Sequence, residues 1–161
     1  MDFVEKYPQA CVEEDIHPVV YCDYALITVE EDLGKYTHFN IGLTQDPYSS
    51  AFSNANIYVS GIPGTVNSVE NGSHKIAKGY GKMYAGNKLY PNELLYFTTD
   101  ATSGDSGGPV YTITKYRVNN TQYYDYTALG IMSGDSKYYN LSVKTIPLIQ
   151  RFYNSNPNYS Y

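Results

Sequence analysis

Two runs of alternating side chains, Pro109 to Tyr116 and Gln122 to Ser133, flank a polar turn at Asn119 to Thr121, and this pattern constrains the fold more than any other feature. A strand sends successive side chains to opposite faces, so the alternation predicts two strands joined by a turn. The same texture recurs along the chain. Val19 to Val29 is rich in β-branched and aromatic residues and reads as a buried strand. Asn56 to Gly64 reads as a strand running into a turn at Gly61 to Gly64, and residues 74 to 89 are compatible with a strand pair. Glu93 to Thr99 reads as another strand. Short strands at near-regular spacing, with turn signals between them, predict an all-β barrel. Val143 to Asn154 breaks the pattern: Val143, Ile146, Ile149 and Phe152 form one helical stripe, and Pro147 falls in the first turn, where a missing N–H is tolerated. A C-terminal packing α-helix is expected there.

Composition bounds what such a chain can do. Its 161 residues suffice to bury a core as one domain, or as one domain plus part of another, and 42% hydrophobic residues argue against wholesale disorder. Twenty tyrosines and no tryptophan suit half-buried pleated surfaces. A formal charge of −5 argues against a nucleic-acid partner, which calls for a basic face. No apolar run approaches the roughly eighteen residues that cross a bilayer, and Met1-Asp-Phe-Val-Glu-Lys6 has no leader pattern. Cys11 and Cys22 can pair or stay free, and their surroundings suggest no metal site. No metal and no cofactor are expected.

Asp100 to Val110 carries residues that a fold alone does not ask for. Ser106 is flanked by Gly104, Gly107 and Gly108, and small neighbours let a backbone turn tightly while a reacting carbonyl approaches the hydroxyl and nearby N–H groups. Gly, Asp and Ser are also ordinary turn residues, so a Gly-rich turn between two strands explains the shorter string equally well. The longer string, Gly104-Asp105-Ser106-Gly107-Gly108-Pro109-Val110, resembles the nucleophile loop of trypsin/chymotrypsin-like serine proteases at every position. The resemblance implies Ser106 as nucleophile, with the N–H groups of Gly104 and Ser106 as the oxyanion hole.

Asp23 sits among apolar residues, where a carboxylate is costly unless paired; an edge or turn position is the plain alternative. Asp23-Tyr24-Ala25-Leu26-Ile27 resembles the segment that carries the triad aspartate in the same family, particularly in the glutamyl-endopeptidase (V8-like) branch. Its implied role is to orient the catalytic imidazole. Val59-Ser-Gly-Ile-Pro-Gly64 resembles the same branch. The resemblance covers about Val20 to Tyr153. It implies that residues 1–50 are the end of a first β-barrel, carrying Asp23, and that 51–161 form a complete second barrel with the nucleophile loop and a C-terminal helix.

A serine hydroxyl needs a base to remove its proton. The chain offers His17, His38 and His74, and none follows Ser106, which excludes the α/β-hydrolase order despite Gly104-x-Ser106-x-Gly108. The subtilisin order is formally available, but its helices between strands are missing. The trypsin-like order leaves only His17, too close to Asp23 for a residue that the family supplies from a separate loop. All three histidines are therefore read as structural. The expectation is that the chain lacks the start of the protease domain, with the base and any leader encoded upstream. The parent is then expected to be secreted, and the isolated chain to self-associate through open barrel edges and to have little hydrolytic activity.

By resemblance, Gly130-Ile-Met-Ser-Gly-Asp135 forms one wall of the specificity pocket, with Ser133, Gly134 and Asp135 pairing to the backbone of a peptide or protein substrate. Met132 and Ala101 are further substrate-binding positions, and Asp100 matches the pocket-base aspartate of trypsins, though an aspartate is also common there in the V8-like branch. Glutamate-selective relatives usually have histidine in place of Met132 and threonine in place of Ala101, which speaks against acidic preference. Asp105 resembles the aspartate that pairs with a newly released N-terminus on activation. The rival expectation is a non-catalytic pseudoprotease whose barrel binds peptides or partners.

Overall fold

The segment Leu94-Leu-Tyr-Phe-Thr98 holds four successive buried residues, which a strand achieves only when covered on both faces. It is one of nine strands in a computed structural model that describes residues 38–41, 55–62, 69–70, 73–74, 77–84, 86, 94–135 and 140–144. In chain order they are β1 (Asn40–Ile41), β2 (Ile57–Gly61), β3 (Val69–Glu70), β4 (Ser73–His74), β5 (Ala77–Met83), β6 (Leu94–Thr98), β7 (Pro109–Val118), β8 (Thr121–Asp135) and β9 (Asn140–Lys144). Over these residues the protein is all-β and contains no helix.

Seven strands form one sheet in the order β1-β8-β7-β2-β5-β6-β9, and β9 also pairs with β8, so the sheet curls back on itself. The pairings are antiparallel except that of β1 with β8. The concave side holds Ile57, Val59, Leu95, Phe97, Val110, Leu129 and Met132, each at most 3% exposed. Each such side chain contributes about 1.5–3 kcal/mol by leaving water. Met83 and Ala101 pack against this cluster from its margin.

Strands β7 and β8 fall on the stretches where alternation predicts them, and β2 and β6 fall within the other two stretches read as strands, Asn56 to Gly64 and Glu93 to Thr99. The turn between β7 and β8 is Asn119-Asn120, with Val118 opposite Thr121. Both asparagines have positive φ, 48° and 65°, as a two-residue hairpin turn of the primed kind requires.

Two expectations need correction. Val143 and Lys144 do not begin a helix: Val143 lies opposite Leu94 on one side and Ile131 on the other, and pairing on both sides holds it extended. The rest of the expected helix, 145–154, lies outside the described residues. The described strand residues within 74 to 89 pair with other segments rather than with one another. Ser73–His74 pairs with Val69–Glu70 in a separate two-stranded sheet, and Ala77–Met83 pairs with β2 and β6. Asp23, His17, Cys11, Cys22 and the expected strand from Val19 to Val29 also lie outside the described residues.

Candidate functional site

The loop between β6 and β7 is built from three short-range closures. Ala101 donates its N–H to Thr99 Oγ1 at 3.1 Å. Asp105 N–H donates to the Thr102 carbonyl at 3.1 Å, and Thr102 N–H donates back to Asp105 Oδ2 at 2.8 Å. Gly108 N–H then donates to the Asp105 carbonyl at 3.0 Å. The last two backbone bonds define consecutive four-residue turns, Thr102–Asp105 and Asp105–Gly108, that share Asp105. Their third positions are Gly104, with φ of 102°, and Gly107, with φ of 82°. A turn that needs positive φ at its third position favours glycine there, because any Cβ would be strained.

Ser106 therefore stands at the second position of the second turn, its first corner, and its side chain is exposed. The loop's N–H groups divide into two sets. Those of Asp105, Gly107 and Gly108 are spent on holding the loop, Gly107 donating to the Met132 carbonyl at 2.8 Å. Those of Asp100, Ser103, Gly104 and Ser106 make no hydrogen bond to any described residue, and of these Gly104 and Ser106 flank Asp105.

The loop is fixed from two sides. On one, Met132 N–H returns a bond to the Gly108 carbonyl at 2.9 Å, fastening the loop to β8 beside an irregularity between Met132 and Gly134. On the other lies the end of β2. A Cβ on Gly108 would fall against the Ser60 carbonyl, and one on Gly61 would come within 2.7 Å of Asp105 Cα. Asp105 is buried at 6% exposure, and its Oδ1 has no hydrogen-bond partner among the described residues. A buried carboxylate oxygen without a donor is costly and invites one.

Among residues expected to meet substrate, Asp100 is exposed and Ala101 half-buried against the core. Met132 places its side chain in the core, 3% exposed, and its backbone on the loop. Ser133 and Gly134 are half-buried at the end of β8, and Asp135 is its last residue. Met132 and Ala101 are thus brought to the loop together with Ser106. His38 is exposed and precedes β1, and His74 lies in β4. Among the described residues Ser106 Oγ has no hydrogen-bonded base.

The sequence gives no warning of two participants. Gly61 reads as the start of a turn, yet it ends a strand and receives Asp105. Thr102 reads as a polar loop residue, yet its N–H holds the Asp105 carboxylate. The one available signal is the density of small residues on both segments.

No protein-family model matches the chain, and no curated protein matches it either.

Proposed function

We propose that this chain is the nucleophile-bearing part of a trypsin-like serine endopeptidase, with Ser106 attacking the peptide carbonyl. The observation that carries the reading is the loop geometry: an exposed Ser106 at a tight corner, with the N–H groups of Gly104 and Ser106 left unspent while their neighbours hold the loop. Two donors not engaged by any described residue are available to an oxyanion, and losing one such donor costs about 3 kcal/mol of transition-state stabilisation. The curled antiparallel sheet is read as the second barrel of the family fold, and Asp23 as the residue that orients the base. Asp100, Ala101 and the stretch Met132 to Asp135 line the pocket for a peptide side chain, in a protein that acts outside the cell.

On this reading the orphaned Asp105 Oδ1 is the acceptor for a cationic N-terminus released by processing. Asp105→Asn in the full-length protein is expected to lower activity at least tenfold; unchanged activity removes the idea.

A second reading, a peptide-binding pseudoprotease, is favoured by the lack of a described base on Ser106. A fluorophosphonate probe separates the two when applied to this chain and to the same chain with any upstream coding sequence restored. Labelling at Ser106 in either form, abolished by Ser106→Ala, supports the endopeptidase. No labelling in either form, with peptide binding retained, supports the pseudoprotease.

A further inference from the structure

On the reading that Ser106 is the nucleophile, we propose that Gly61, at the end of β2, is a positioning residue for it, acting through Asp105. Gly61 does not owe its identity to its own backbone. Positive φ occurs at Gly104 and Gly107 among the described glycines, and not at Gly61. What it supplies is an absent side chain. A Cβ there would stand 2.7 Å from Asp105 Cα, 2.9 Å from Asp105 Cβ, and against Oδ1, all closer than real Cβ contacts. Two of those atoms cannot swing away by rotating a side chain.

Asp105 is the residue through which such a displacement would spread. Its N–H closes the first turn on the Thr102 carbonyl, its carbonyl closes the second turn on Gly108, and its Oδ2 holds the Thr102 N–H. Gly104 and Ser106 are its two chain neighbours, so moving Asp105 moves the nucleophile and both unspent N–H groups at once. The adjacent residue of β2 completes the lock: the Ser60 carbonyl lies where a Gly108 Cβ would be. The end of β2 thus fixes the loop by backbone contact at two points, one on each side of Ser106. Reaction geometry tolerates little error, since a misplacement of about 1 Å can cost on the order of a hundredfold in rate.

The test compares amide hydrogen exchange in the full chain and in Gly61→Ala. The expected result is exchange at least tenfold faster at Asp105, Gly107 and Gly108, with the β7–β8 ladder from Ile113 to Tyr126 unchanged. Ser106 labelling by the fluorophosphonate probe is expected to slow at least tenfold in parallel. Wild-type exchange at those three amides in a folded Gly61→Ala protein overturns the proposal. Should the ladder amides also speed up, showing that the variant has unfolded, Asp105→Ala decides. It removes the side chain resting on Gly61 without adding bulk, and it must speed exchange at Gly107 and Gly108; unchanged exchange there overturns the lock. Failure of the wild-type protein to label at Ser106, both as this chain and with any upstream coding sequence restored, sinks the nucleophile reading instead, and leaves the exchange comparison to judge the lock by itself.

Discussion

The β6–β7 loop and the β7–β8 hairpin both reverse the chain through residues with positive φ, but they are held in different ways. The hairpin turns at Asn119-Asn120 and is held by its own ladder, with Tyr116 and Tyr123 stacked across it at 5.5 Å. Tyr116, Val118, Tyr123 and Tyr124 are all exposed. The loop turns at Gly104 and Gly107 and is held by Asp105, by Met132 and by the end of β2. The hairpin needs only that its strands pair, whereas the loop needs Asp105 at one position relative to two strands. The loop is thus fixed at its base by several partners while the hydroxyl at its corner stays exposed.

Substitutions should rank accordingly. The largest effect is expected at Gly108→Ala, where the new methyl meets the Ser60 carbonyl and Asp105 O at 2.9 Å, atoms that belong to the backbone. Overpacking of this kind costs about 1–3 kcal/mol, visible as a lower denaturation midpoint. Gly107→Ala is expected to cost less, about 1–2 kcal/mol, because its Cβ meets nothing within 4 Å and only the φ of 82° opposes it. Tyr123→Ser in the hairpin should cost about 0.2–1 kcal/mol for the lost cross-strand stack, read in the same titration. Asn120→Gly should change stability by no more than about 0.5 kcal/mol, since it keeps a turn pair that hairpins favour. If Gly107→Ala proves milder than Tyr123→Ser, the contrast between the two regions is wrong.

The hairpin was legible because its information is local: alternation on either side of a polar pair specifies both strands and their register. β2 and β6 were legible from local content too, as short runs of apolar and aromatic residues. β9 was not, because Val143 fits a three-residue spacing and what holds it extended is pairing with Leu94 and Ile131, distant in the chain. The candidate site divides along the same line. Ser106 and its glycines stand out as a string, but Gly61 looks like any turn glycine until Asp105 is seen against it. Nothing local in Thr102 tells that its N–H will hold a carboxylate.

We propose that the loop presents a nucleophilic hydroxyl beside the N–H groups of Gly104 and Ser106, which meet the charge that develops during attack. It is tested most directly by a peptide boronic acid, which forms a tetrahedral adduct with a serine nucleophile, followed in amide NMR spectra. The expected result is an adduct on Ser106 Oγ, with the Gly104 and Ser106 amide protons shifting well beyond those of Asp105, Gly107 and Gly108. An adduct on another residue, or one on Ser106 that leaves the Gly104 and Ser106 amides where they were, would contradict it.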